Sequence, residues 1–310
     1  MNIALGIILL VTYLVFIIYA AKGGNLLLGL FLMAILWSGI SLLGGTLTWK
    51  DINTTIFQAG PESFGPTAIN IIFGSWFGRI LIETGIARTI IRKAVELGGD
   101  RRGLTVILLC LVVTAIFTTA YGVGAVVAIG VIVFPIMLSI GVTKALATAA
   151  YSMAVGAGLW LNGALLSQAA GTMVIGKSEK YVIGPDWYRF AGIAVAVAVV
   201  TYSIMILIST RKSDKVHAWS APDMGEISEG QTQNVSLLAC ITPIIPVTIA
   251  IAFKISSIPA ILLAALWGFA FTGYLSKGWS KMAELIEKTF FEGVKDVGLV
   301  LGFLLFLQMF

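Results

Sequence analysis

Apolar residues run along this chain in blocks of 17 to 37, separated by more polar stretches. The blocks are Ile3 to Ala21, Asn25 to Leu47, Thr67 to Gly85, Leu104 to Ile140, Ala145 to Ile175, Phe190 to Ser209, Val235 to Phe253, Ile258 to Leu275 and Val294 to Phe310. A helix rises about 1.5 Å per residue and needs roughly 20 apolar residues to cross a hydrocarbon core of about 30 Å. Most blocks have that length and predict spanning helices. Two do not, and they carry the information about function.

The first exception lies between Arg102 and Lys144, which enclose no charged residue. Near its middle sits Thr118-Thr119-Ala120-Tyr121-Gly122-Val123-Gly124. The arms on either side, Leu104 to Phe117 and Ala125 to Ile140, are 14 and 16 residues long. As helices they reach only about 21 and 24 Å, short of a crossing. Two short helices meeting at a glycine-containing tip predict a re-entrant hairpin over 104–141. Irregular backbone at membrane depth survives only where protein buries it or where it lines a cavity.

The second exception, Ala145 to Ile175, is 31 residues long. As one helix it would extend about 47 Å, too long for one crossing, and the block is too short for two. Gly156, Gly158 and Gly163 fall inside it, and Asn162 offers an amide to freed backbone groups. These residues predict a helix broken near Gly156 to Gly163. The competing reading is a long tilted helix whose glycines allow close packing.

Composition agrees with the pattern. Hydrophobic residues make up 58% of the 310 and charged residues 11%, with a mean hydropathy of +0.99, which predicts an all-α polytopic membrane protein. The net charge of +5 sits in short loops rather than in a basic stripe, so nucleic acid is not an expected partner and the lipid bilayer is. When each span changes sides and the hairpin returns to its own, an outside N-terminus puts fourteen of the twenty basic residues on the cytoplasmic face. Lys50, Lys177, Lys180, Arg189 and Lys254 face outward, and Arg79 lies within a span. Cys110 and Cys240 lie far apart in apolar segments and suggest neither a disulfide framework nor a metal cluster. The one histidine, His217, is in a hydrophilic stretch, and no phosphate loop occurs, so no enzyme centre or cofactor is expected.

Residues 210–234 form the one long hydrophilic segment, with Pro222, and read as a cytoplasmic linker between two halves. Beyond it the chain echoes its beginning: Trp49, Gly60 and Gly65 match Trp279, Gly293 and Gly298. Under the charge count the two copies run in opposite directions, as in transporters built from inverted repeats. The expected organisation is an N-terminal helix over 1–24, a first repeat over 25–209, the linker, and the start of a second repeat over 235–310. No second hairpin or interrupted helix is legible, and the apolar run Gly298 to Phe310 ends without a polar tail. The second repeat is therefore expected to be incomplete, the chain a shortened version of a longer protein.

The hairpin tip and helix break together offer hydroxyls of Thr118 and Thr119, carbonyls around Gly122 and Gly124, and the amide of Asn162, flanked by Gly158 and Gly163. Such neutral oxygens suit a small cation, and the positive end of the helix beginning near Gly124 suits an anionic group. The threonines can instead bond the preceding turn. Arg79 and Glu83 are four apart on one helix and are expected to pair, with a proton relay through Glu83 as the alternative. Ser167 and Gln168 are lesser candidates. Gly74-Ser75-Trp76-Phe77-Gly78 matches a small-residue packing pattern.

The order of these elements resembles the ion transporter superfamily. The Gly60-x4-Gly65 stretch, Gly74 to Arg79, the Arg-rich loop to Arg102 and the hairpin Thr118 to Pro135 are most similar to gluconate and citrate permeases. That resemblance implies an inner-membrane symporter, often a homodimer, in which a hairpin and a broken helix hold substrate and coupling ion and move in an elevator-like manner. The expected function is secondary active transport of a small organic anion, such as a carboxylate or sugar acid, driven by a cation. Sodium is favoured over a proton because the candidate site holds no free carboxylate. A sodium/proton antiporter and a membrane scaffold without a solute path remain the alternatives.

Overall fold

The computed structural model describes residues 3–99, 101–172, 174–175, 179–180, 184–211 and 235–309. Within them the fold is helical apart from one antiparallel pair of two-residue strands, β1 (Val174–Ile175) and β2 (Glu179–Lys180). Linker residues 212–234, with His217 and Pro222, lie outside the described residues, as does Lys177.

The chain divides into two compact units, Met1–Ile69 with Gly298–Phe310, and Asn70–Val297. This division does not follow the expected repeat boundaries: spatial neighbours define a unit, whereas sequence and topology define a repeat.

The first unit contains α1 (Ile3–Ala21), α2 (Leu26–Leu43), α3 (Trp49–Asp51), a π-helical stretch over Ile52–Ala59 and α4 (Gly60–Ser63). Helix α1 exposes apolar side chains around most of its circumference, among them Ile7, Ile8, Tyr13 and Val15. A helix hydrophobic all round needs an apolar surrounding. Asn25 caps α2 by accepting the Leu28 N–H at 3.1 Å.

From Asn70 onward the second unit holds most of α5 (Gly65–Glu83), then α6 (Ile86–Gly98), α7 (Arg102–Phe117), α8 (Val123–Ser139), α9 (Lys144–Leu159) and α10 (Gly163–Thr172). After the strand pair come α11 (Pro185–Arg211), α12 (Ile245–Phe253), α13 (Ser257–Phe271) and, as far as Val297, α14 (Trp279–Met309), whose remainder belongs to the first unit. The core is the seam between α7 and α9. Ala147, Ala150, Ala154 and Ala157 recur at helical spacing and are buried against Val106, Leu109, Val113 and Phe117. Small side chains let two backbones approach, which in an apolar medium gains dispersion energy. Gly158 marks the closest approach, since a Cβ there would overlap the Thr114 carbonyl and the Phe117 side chain.

Three helices, Ile3–Ala21, Leu26–Leu43 and Pro185–Thr210, are long and apolar enough to cross a membrane among the described residues. A fourth counts if the pair Lys144–Leu159 and Gly163–Ala170 forms one span; the two halves meet at 64°. The single tilted rod is thereby excluded for Ala145 to Ile175. Helices α7 and α8, at 16 and 17 residues, are both short of a full crossing length.

Two expectations about the later elements need correction. Val235 to Phe253 is not one span: a 3₁₀ turn covers Ala239–Ile241, and α12 begins only at Ile245. The cause is two prolines. Pro243 and Pro246 have no N–H to give to the carbonyls of Ala239 and Thr242, which take the N–H groups of Thr242 at 3.1 Å and Ile245 at 3.3 Å instead. An interrupted element therefore exists after the linker, although none was legible. The amphipathic stretch and the final apolar run are likewise not separate, because α14 is one helix of 31 residues.

Candidate functional site

Helix α7 stops where its own side chains compete for the backbone. The Thr118 hydroxyl donates to the Ala115 carbonyl at 2.7 Å and the Thr119 hydroxyl to that of Ile116 at 3.3 Å. The chain then turns through Gly122 at φ +101° before α8 begins. Asn162 joins this turn to the break in the neighbouring element. Its Nδ2 donates to the Phe117 and Ala120 carbonyls at 3.0 and 2.9 Å, and its Oδ1 accepts the N–H groups of Ala164 and Leu165 at 3.0 and 3.3 Å. One buried amide thus satisfies the last carbonyl of α7, one in the turn that follows it, and two donors starting α10.

Beside that joint lies a cavity of about 830 Å³. Thr118 and Thr119 border it from the end of α7, Leu161, Gly163, Ala164 and Ser167 from the break and α10, and Asn70 from α5. The lining continues with Gly184 and, from α11, Pro185, Tyr188 and Arg189, and with Pro246, Val247, Ala250 and Ile251 of α12. Lys254, Ile255, Ser256, Ser257 and Ile261 complete it, and no carboxylate lines it among the described residues. The first turns of α10, α11 and α13 all border this space. Ser256 precedes α13 without a side-chain cap, which leaves the helix's first N–H groups available. The Pro243 carbonyl lies 3.1 Å from the Thr119 hydroxyl and 3.4 Å from that of Thr118, so it competes with the Ile116 and Ala115 carbonyls for their single protons. Ser257 donates a short hydrogen bond to the Asn70 side-chain carbonyl.

Of the expected site residues, Thr118, Thr119 and Gly163 line the cavity. Asn162 is fully buried next to it with its hydrogen-bonding capacity engaged by backbone. Gly158 serves the seam with α7. Gly122 and Gly124 face elsewhere, against α5 and α14: a Cβ on Gly122 would meet Val297 and Ser75, and one on Gly124 would overlap the Asp296 carboxylate. The anionic group expected at the start of α8 is therefore supplied by the chain itself.

That second region is ionic. The expected pair of Arg79 with Glu83 does not form, because α14 brings better-placed acids. Arg79 bonds Asp296 through Nε and Nη2, both at 2.6 Å, and Glu292 through Nη1 at 3.2 Å. Glu83 instead accepts from Lys288 at 2.7 Å. Polar rungs continue the interface, with Trp76 Nε1 donating to Thr289 Oγ1 at 3.0 Å and Ser75 Oγ to the Gly293 carbonyl at 2.8 Å. Gly293 admits no side chain, since a Cβ would strike the Trp76 backbone.

Sequence reasoning missed Asn70, Arg189, Lys254, Ser256 and Ser257 as cavity residues, and Asp296 as the partner of Arg79. A signal existed in Lys254-Ile255-Ser256-Ser257-Ile258-Pro259, a polar interruption between two apolar blocks. Comparison of the chain with protein-family models, curated proteins and solved structures finds no match.

Proposed function

We propose that this chain forms the solute pathway of a cation-coupled secondary transporter for a small organic anion, in a multi-pass arrangement in the cell inner membrane with the N-terminus outside. The observation that carries the reading is the cavity of about 830 Å³ beside the interrupted elements. Its volume lies within the roughly 300 to 1,000 Å³ of small-molecule sites. Its described lining combines Lys254, Arg189 (itself paired with Asp186 at 3.5 Å) and hydroxyls with no acid of its own, a balance that favours anions. Helix starts bordering the same space add partial positive charge.

The coupling cation is assigned to the oxygens of Thr118, Thr119 and Pro243, which already meet within hydrogen-bond distance. Sodium, which takes neutral oxygens, is favoured over a proton. An elevator-like motion of the two short arms and the broken helix is supported by the 64° bend between α9 and α10. The repeat reading is supported by helical stretches that open at Trp49 and at Trp279. Arg189 and Lys254, both assigned outward by the charge count, border one cavity, as a common face requires.

The test is uptake of labelled succinate, citrate or gluconate into proteoliposomes holding this chain, with and without an imposed sodium gradient. Sodium-dependent uptake is expected, retained by Thr119→Ser and lost by Thr119→Val. Cation exchange without carboxylate uptake would favour the antiporter. Absence of both, with Thr119→Val changing only stability, would favour the scaffold.

A further inference from the structure

Lys254 is the one non-glycine residue with positive φ among the described residues, at φ 54° and ψ 34°. It follows the last residue of α12, a place where glycine is common because the left-handed conformation crowds a Cβ against the backbone. A lysine there carries a steric cost that glycine escapes. What the lysine brings is charge at the cavity. Its neighbour in the lining, Arg189, already shares the Asp186 carboxylate at 3.5 Å. Lys254 is exposed, and no hydrogen bond or ion pair holds its ammonium among the described residues.

The bend at Lys254 also does geometric work. It reverses the chain between α12 and α13 in three residues, so that Lys254, Ser256 and Ser257 all reach the same space. Relaxing Lys254 to a right-handed conformation would continue α12 and carry the uncapped start of α13 away from the cavity.

We propose that Lys254 is the anion-recognising residue of the cavity, held in the left-handed conformation so that its ammonium and the start of α13 receive one carboxylate together. This rests on the transport reading and adds the residue that binds the charge. A structural alternative has its own physics: a lysine ending a helix is stabilised by the dipole, with no ligand involved.

The experiment is thermal unfolding of the purified chain in detergent, titrated with sodium acetate, succinate, citrate and gluconate against sodium chloride at matched ionic strength. Wild type is compared with Lys254→Gly, Lys254→Gln and Lys254→Arg. Lys254→Gly is expected to raise the anion-free Tm by about 2 °C, since strain is relieved, and to weaken the best carboxylate at least about tenfold. Lys254→Gln is expected to weaken it by a similar factor, and Lys254→Arg to stay within about threefold of wild type. Equal carboxylate affinity in wild type and Lys254→Gln, with only the Tm lowered, would overturn the assignment and leave the transport reading standing. If wild type responds to none of the four salts, the transport reading itself falls.

Discussion

Arg79 and Asp296 stand 217 positions apart and meet through two parallel hydrogen bonds, Nε to one carboxylate oxygen and Nη2 to the other, each 2.6 Å long. Two-point binding fixes the angle between α5 and α14 as well as their separation. Asp296 also fills the space against Gly124, where α8 begins, so one carboxylate faces a guanidinium and a helix N-terminus at once. The side chains retain only 20% and 10% of their exposure, little enough for the pair to escape most solvent screening.

Removing one partner should therefore cost more than removing both. Asp296→Leu is expected to destabilise by about 3 kcal/mol because Arg79 keeps only the longer contact with Glu292. Arg79→Met combined with Asp296→Leu should recover most of that loss. Chemical or thermal unfolding of the four members of the cycle measures the coupling; additive losses would mean that the pair contributes nothing as a pair.

Gly124→Ala tests the same contact from the hairpin side. The new Cβ overlaps the Asp296 carboxylate, so the pair with Arg79 must shift. A loss of about 1 to 3 kcal/mol is expected in the wild-type background and a much smaller one beside Asp296→Ala. An undiminished penalty in the double variant would locate the strain elsewhere.

Asn162 separates a structural role from an ionic one. Asn162→Asp keeps an acceptor for the N–H groups of Ala164 and Leu165 but cannot donate to the Phe117 and Ala120 carbonyls. Two buried carbonyls then lose their donor, and a loss of at least about 2 kcal/mol is expected, independent of sodium. Tighter sodium binding by Asn162→Asp, read from the sodium dependence of Tm, would instead make the side chain a cation ligand.

Thr242 offers the opposite expectation. Its hydroxyl is buried without a hydrogen-bond partner beside Pro243. Thr242→Val keeps the shape and removes the unpaired polar atom, so a gain of about 1 kcal/mol is expected in sodium-free buffer. A fall in Tm that grows with sodium concentration would show that the hydroxyl belongs to the cation site.

What was legible in the chain depended on local physics. The 14- and 16-residue arms around Thr118 to Gly124 and the glycines near Asn162 predicted where helices end, because backbone capacity for helix is a property of neighbouring residues. The interruption at Pro243 and Pro246 was equally local but hidden by the apolar run around it, since hydropathy averages over the missing N–H groups.

Side-chain partners were another matter. Arg79 and Glu83 satisfy the helical spacing for a pair, yet each bonds α14 instead, Arg79 to Asp296 and Glu83 to Lys288. Spacing along one helix says which groups can meet; it is silent about competitors arriving from more than 200 positions away. Apolar length, charge placement and backbone breaks were thus determined by the sequence alone, because each is a sum over adjacent residues. Only the tertiary structure decided that Thr118 and Thr119 share a cavity with Lys254, and that the start of α8 is already occupied by Asp296, because those relations exist only once distant segments pack against one another.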